Sequence, residues 1–516
     1  MLRYMTLVGA SAAAVAPFLS GGAGRPDDLD WPVAGLAAGL VAVAVLGFAR
    51  SKGARITAVV GALVALGVTV RLLLRDFEAG LTGSRLPVLA MGAVAVTIGV
   101  GVAGSWRVRP VGVVAAVLAL AAAVLAPGAA QAVIVDSQPR GAQLVEAPVV
   151  VERPTGGQWS WQPPADVVGV VAAGHGVAVA TADGSVVALT GDDGRVDWRY
   201  TRRGARIGTV SASMDRKAVV VTFRSPFDTR AQLLVALDAD TGVVRFEKVV
   251  RSVQVDTEGV MPGTRTLALR DGDSVVGYDL VTGDERWRWS PPDGCESAYA
   301  RTVRGRSTVF VRVECEDLLT LSALDEVTGL ERWKHQVGLT RPDGDRLDFH
   351  LHGTTDGSVV SVRIVTARAL PGAVTDGLFD AETGTLLARP DRKWVFREGV
   401  GPRVLLEEQV GAGPTAIQSI ELPGGRTTPL DVAACPSRTA DATTPTTYVR
   451  ACGDNGREVS VVVQGLDGSP PTTTPVRLDG SGSLPDFELV PAPGAIVLTR
   501  TSYGGTPAPV VGLTGR

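Results

Sequence analysis

Asp348-Phe349-His350-Leu351-His352 is a stretch in which metal-ligating side chains recur at a fixed spacing. Successive side chains on a β-strand point to opposite faces, so Asp348, His350 and His352 share one face and Phe349 and Leu351 the other. Two imidazoles and a carboxylate on one face form a donor set for a divalent metal. The same pattern also fits an innermost strand whose polar face lines a wet channel while Phe349 and Leu351 enter a core, and this is the reading adopted. His175 and His335, the other two of the four histidines, stand alone and read as surface residues. The sequence contains no Gly-x-Ser-x-Gly, no His-Glu-x-x-His and no phosphate loop, so no catalytic residue is assigned.

The remaining reactive groups are four cysteines, Cys295, Cys315, Cys435 and Cys452, all in the C-terminal part. None has the CxxC spacing of a zinc site, and an even number in an exported segment points to disulfides. Glu314 and Glu316 flank Cys315 and read as carboxylates facing water.

Internal repeats supply the elements that position these residues. Ala323-Leu-Asp-Glu-Val-Thr-Gly-Leu-Glu-Arg-Trp333 aligns with the segments 236–246, 277–287 and 188–198, and 378–384 is a fifth copy without the aromatic. Weaker copies centre on Gly425 and Gly468, and another Thr-Gly stands at 514–515. The turn glycines Gly194, Gly242, Gly283, Gly329, Gly384, Gly425, Gly468 and Gly515 are spaced 41 to 55 residues apart, the length of a four-stranded propeller blade. In Asp-x-x-Thr-Gly the Asp and Thr side chains bond the turn backbone and Gly takes a positive φ. Four residues later Trp198, Phe246, Trp287 or Trp333 can wedge against the next blade. Thr155-Gly-Gly-Gln-Trp-Ser-Trp161 reads as the outer strand missing after Gly515, closing the ring.

The pattern Ala-x-Asp-x-x-Thr-Gly-x-x-x-Trp, complete from Ala323 to Trp333, resembles the tryptophan-docking repeat of the PQQ-like, quinoprotein-type eight-bladed propellers. The resemblance covers roughly residues 155–516, strongly in four or five blades and faintly in the last three. That family includes PQQ-dependent dehydrogenases and the propeller lipoprotein of the outer-membrane barrel assembly machinery, so it implies a fold rather than an activity. Its enzyme branch implies PQQ with calcium. However, the adjacent cysteine pair of the alcohol-type enzymes is absent, and neither their calcium ligands nor their catalytic carboxylate maps onto a position here. The repeat register also orders the cysteines. Cys295 and Cys435 each open the first strand of a blade and Cys315 and Cys452 each end the second, which pairs Cys295 with Cys315 and Cys435 with Cys452.

Residues 1–135 carry ten Lys or Arg and five Asp or Glu among long Ala, Val, Gly and Leu runs. Apolar stretches at 4–19, 31–49, 56–74, 86–104 and 111–135 predict a transmembrane domain of about five helices. Arg50, Lys52 and Arg55, with Arg107 and Arg109, mark cytoplasmic loops. Residues 136–154 read as a linker and 155–516 as the propeller, placed on the extracytoplasmic side of the plasma membrane. A cleaved signal peptide is the alternative for the first stretch and leaves that placement unchanged. No helix has an Asp, Glu or His at its centre, which argues against ion-coupled transport. The Gly35/Gly39 pair reads as ordinary packing.

From residue 136 onward 48 acidic residues outnumber 40 basic ones, which excludes nucleic acid as a partner. Arg-, Ala-, Val- and Gly-rich usage suggests a bacterial source. These features together predict a membrane-anchored, noncatalytic binding or scaffold module for cell-envelope proteins or polymers, with no cofactor. A PQQ-dependent enzyme and a small-ligand sensor are the alternatives.

Overall fold

Seven glycines set the frame of the C-terminal part. Gly194, Gly242, Gly283, Gly329, Gly384, Gly425 and Gly468 all have φ between +68° and +84°, a conformation in which a Cβ would clash with the backbone. Four residues before four of them, Asp238, Asp279, Asp325 and Asp380 accept the backbone N–H of Thr241, Thr282, Thr328 and Thr383 at 2.7–3.1 Å. Each such turn joins the last two strands of an antiparallel sheet.

The computed structural model describes residues 2–22, 30–49, 51–101, 110–141, 146–226, 231–251, 260, 262–297, 303–315, 318–338, 347–366, 374–391, 393–410, 413–435, 438–453, 458–478, 486–501 and 506–515. Eight sheets follow one another along the chain, at 167–202, 206–251, 266–289, 296–338, 347–388, 394–430, 438–477 and 486–514, and form an eight-bladed β-propeller. The third blade has three strands among the described residues. The eighth takes Gln158–Trp161 as its outermost strand, pairing Gln158 with Leu513 and Trp161 with Val510, so the ring closes as the sequence predicts.

Each blade is covered on both faces by its neighbours, and the strands reflect this. All six residues of Gly176–Thr181 are buried, as expected of strands enclosed on both sides. The outer strand Glu331–Gly338 alternates half-buried and exposed positions beyond its first residue. The core is therefore a series of inter-blade seams. Trp198 and Tyr200 of the first blade, for example, pack with Val219, Val221, Phe223 and Leu233 of the second.

The stretch read as a linker is structured at both ends. Val135–Gln138 adds a fifth strand to the outside of the first blade, with Val135 opposite Arg202 and Gln138 opposite Arg199. Val151 is buried in the seam between the seventh and eighth blades, and the Glu152 carbonyl accepts the Thr447 hydroxyl at 2.9 Å.

The N-terminal part contains α1 (Leu2–Val15), α2 (Trp31–Gly47), α3 (Lys52–Glu78), α4 (Arg85–Gly101) and α5 (Pro110–Ile134). Two helical segments, Lys52–Glu78 and Val117–Ile134, are long and apolar enough to cross a membrane. Arg50, Arg107 and Arg109 lie outside the described residues. Twelve of the 17 residues of α4 are buried, so it is the central helix. Small residues fill the interior, Ala13, Ala37, Ala44, Ala58, Ala62 and Ala93 among them. Leu63, Val64, Leu118, Val124 and Leu125 point outward. Helices α1 and α4 pack backbone to backbone, where a Cβ on Gly9 would lie 2.8 Å from the Gly92 carbonyl oxygen and one on Gly92 as close to that of Gly9. Gly35 and Gly39 have no described neighbour within 4 Å of such a Cβ, in keeping with their reading as ordinary positions.

Cys295 is bonded to Cys315, and Cys435 to Cys452, each joining the start of a blade's first strand to the end of its second. Closing loops of this length stabilises by about 3 kcal/mol each in the chain-entropy estimate. Cys435→Ser/Cys452→Ser is therefore expected to lower the unfolding free energy by roughly that amount. Denaturant unfolding of the variant beside the parent measures it, and coincident midpoints would contradict the assignment of stability to this bridge.

Candidate functional site

The motif tryptophans act between blades. A Cβ on Gly242 would lie 2.7 Å from the Trp198 ring, and Gly194, Gly283, Gly329 and Gly384 meet Trp159, Phe246, Trp287 and Trp333 in the same way. Glycine is required there twice, for its φ and for the ring lying flat on it. The indole N–H groups of Trp159, Trp198, Trp287 and Trp333 donate to the carbonyls of Gly191, Ala239, Glu326 and Ala381 at 2.6–3.2 Å, always three residues before the capped glycine. Trp159, on the N-terminal strand, thus docks on the first blade and completes the circle. The residue just before the aromatic has a role that the sequence reading did not assign. Arg245 and Arg332 donate to the turn carboxylates Asp238 and Asp325 at 2.8 and 3.0 Å, and Arg286 binds Asp279. Burial opposes ionisation of Asp325, but the Thr328 hydrogen bonds and Arg332 outweigh it and hold its pKa below the ordinary value.

A second set of charged groups bridges the sixth and seventh blades. Arg397 binds Asp441 through two nitrogens at 2.7 and 3.0 Å, and Arg438 reaches Glu407 at 3.2 Å and the Tyr448 hydroxyl at 3.0 Å. The Tyr448 hydroxyl in turn donates to Asp441 at 2.9 Å. Beside them, burial and the Asp441 charge push the Glu398 carboxyl up to about 7. Arg397 and Asp441 are 44 residues apart in sequence, so no local motif announced the cluster.

The Glu398 shift gives a signed pH prediction. An unfolded glutamate ionises near about 4.3, so between that value and about 7 the unfolded state releases a proton that the folded state keeps, and stability falls as pH rises. Above pH 7 the loss is complete. Glu398→Gln should therefore be more stable than the parent at pH 8, by on the order of 2 kcal/mol, and nearly equal at pH 4. Unfolding midpoints measured across this range test it, and a constant difference at both ends would contradict it.

The sequence-predicted trio lies where the repeat places it, on Leu347–Gly353, the innermost strand of the fifth blade. His350 is exposed, and the His352 ring stacks on Phe396 with centroids 6.1 Å apart. The Asp348 side chain is outside the described residues. Phe349 and Leu351 are buried in a core cluster, as expected. Among the described residues no group of three His, Cys, Asp or Glu could hold a metal ion. Two expectations need correction. His175 is buried, with Nδ1 3.9 Å from Asp197 and 3.8 Å from Asp240. His335 is half-buried between the Phe349 and Phe379 rings at 6.3 and 5.4 Å, because its outer strand faces the next blade. Glu314 is also half-buried, 3.7 Å from Arg312, while Glu316 lies outside the described residues.

Calcium takes roughly six to eight oxygen ligands, so a PQQ–calcium pair needs carboxylates free to serve it. Among the described inner-strand carboxylates, Glu488 accepts the Val170 N–H at 2.6 Å, and Asp441 is held by Arg397. Glu407, on the adjoining strand, is held by Arg438.

An open cleft of about 490 Å³ lies between the fifth and sixth blades, lined by Leu387, Ala388, Trp394, Gln418, Ile420 and Gly425 among others.

A family model described as outer membrane protein assembly factor BamB matches residues 106–260 and 208–401, together more than half of the chain. The chain belongs to this PQQ-like propeller family. The translation initiation factor 2-alpha kinase pek-1 of Caenorhabditis elegans is 27% identical over 180 residues, 33% of this chain and 15% of the kinase, so the match spans far less than two thirds of that relative. Among solved structures, the dihydro-heme d1 dehydrogenase NirN in complex with DHE is 14% identical, covering 75% of this chain and 84% of its own with a TM-score of 0.41. The WD40 domain of SCAP from fission yeast is 8% identical, covering 69% and 96% with a TM-score of 0.40.

Proposed function

We propose that the chain is a noncatalytic binding module, in which helices anchored as a multi-pass bundle in the plasma membrane hold an extracytoplasmic propeller against cell-envelope proteins or polymers. The observation that carries this reading is a contrast within the ring: Glu488, Asp441 and Glu407 are held by the backbone, Arg397 and Arg438, while an open cleft remains between the fifth and sixth blades. A fixed, internally satisfied ion network favours rigidity over proton transfer. The outward Leu and Val side chains of α3 and α5 and the small residues between helices suit a lipid-facing bundle. Two disulfides suit an oxidising compartment.

The helices also bear on the propeller directly. The α3–α4 turn enters the seam between the first and second blades, where Leu81 is buried and Arg202 donates to the Gly80 carbonyl at 2.6 Å. In a ring of eight this seam is diametrically opposite the cleft, which leaves the cleft clear of the bundle.

Titrating pyrroloquinoline quinone with calcium into the full chain in lipid nanodiscs, followed by cofactor absorbance, separates this reading from a quinoprotein. No saturable binding is expected. Saturable binding would replace the proposal with an enzyme.

A further inference from the structure

The turn glycines form a comparison internal to the chain. Gly194, Gly242, Gly283, Gly329 and Gly384 are capped by Trp159, Trp198, Phe246, Trp287 and Trp333, Gly468 by Thr428, and Gly515 by Val151. Gly425 differs: among the described residues nothing lies within 4 Å of where its Cβ would be. The ring that should cover it would come from the fifth blade, four residues after Gly384. That residue is Ala388, and the open cleft sits there.

The fifth blade has reversed the sizes of a pair. Trp333 stands opposite Ala323 and Trp198 opposite Ala188, a large ring over a small residue. Here Ala388 stands opposite Leu378, which is fully buried. Leu378 fills the depth beneath the missing ring, but the space above Gly424 and Gly425 stays open. The outer strand is also cut short. Leu386–Ala388 has three residues against eight in Glu331–Gly338, so Val374–Gly377 has no outer partner strand among the described residues. A glycine-floored cleft beside a strand edge with no described partner is what a docking strand needs.

We infer that this cleft is a binding site for a tryptophan side chain carried on an extended segment of a partner protein. The segment would pair with the edge next to Ala388 and lay its indole over Gly425, as Trp333 lies over Gly384 within the chain. Main-chain pairing supplies affinity and the ring supplies specificity in strand addition, and buried tryptophans in pockets dominate protein interfaces. A cleft of about 490 Å³ is within the roughly 300–1,000 Å³ of ligand sites. Gln418 and Thr427 place polar groups at its walls. The inference rests on the binding-module reading and names the chemistry of its partner.

The test uses the full chain in nanodiscs and two probes observed by fluorine NMR: a nine-residue peptide with a central 5-fluorotryptophan, and N-acetyl-5-fluorotryptophanamide. Saturable line broadening of the peptide is expected, with binding at least tenfold weaker for the amide, which lacks the strand. Leu378→Ala/Ala388→Trp restores the motif pair and should abolish binding. Thr427→Trp, at an exposed position on the opposite wall, should weaken it at least tenfold without touching the buried seam. Absence of peptide binding, undiminished binding in a folded blocked variant, or equal binding of both probes would overturn the inference. The cofactor titration reports on the broader reading separately, so a chain that binds neither probe nor quinone loses the tryptophan site and keeps the module.

Discussion

Trp198→Ala is expected to lower the unfolding free energy of the propeller by about 3–5 kcal/mol, the cost of deleting a fully buried large aromatic side chain. Trp198 is 1% exposed, lies flat on Gly242 and donates to the Ala239 carbonyl at 2.8 Å. Removing it opens a cavity in the seam of the first two blades and leaves that carbonyl without its indole partner. Trp198→Phe should recover most of the loss, because Phe246 already caps Gly283 at the next seam. The remaining deficit should be about 1 kcal/mol for the missing hydrogen bond. Unfolding followed by near-UV circular dichroism compares the three proteins. Equal losses for Ala and Phe would show that the hydrogen bond, rather than the ring, carries the seam.

The second large effect is expected where helices and propeller meet. Arg202 is 1% exposed, and its guanidinium bonds the Gly80 carbonyl at 2.6 Å, the Tyr200 hydroxyl at 3.1 Å and Glu247 at 2.8 Å. Burial raises the Tyr200 pKa, so the phenol stays neutral and Glu247 alone neutralises the arginine. Arg202→Ala leaves that carboxylate with the Tyr200 hydroxyl at 3.3 Å and no neutralising charge, and breaks the α3–α4 turn from the ring, at a cost of roughly 3–5 kcal/mol. Hydrogen exchange at residues 79–84 should rise together with the drop in stability. Faster exchange without lost stability would mean that the turn is clamped by Arg202 but the ring does not depend on it. Unchanged exchange would assign the clamp to Leu81 and to the strand Val135–Gln138 instead.

The repeat, the ring closure and both cysteine pairings were legible because they are local or periodic. A turn needs its Asp, Thr and Gly within five residues, and a disulfide between adjacent strands needs only the strand register. The absence of an aromatic from the fifth copy was legible for the same reason. Its consequence was not, because Gly468 and Gly515 lack a motif aromatic too and yet are covered, by Thr428 and by Val151 from the supposed linker. Whether a deleted ring leaves a space depends on which distant residue packs into it.

Distance also hid the other contacts. Arg397 and Asp441 meet across a seam from 44 positions apart, and Arg202 and Gly80 across 122. His175 and His335 read as surface residues because isolated polar residues usually are, yet one is buried near Asp197 and Asp240 and the other lies between two phenylalanines. The blades, their order and the ring they close could be read from the residues in advance, since they follow from hydrogen bonds and hydrophobic alternation within a few tens of residues. Which seam stands open, where the helices clamp the ring and which carboxylates are neutralised could not, since each depends on side chains that folding alone brings together.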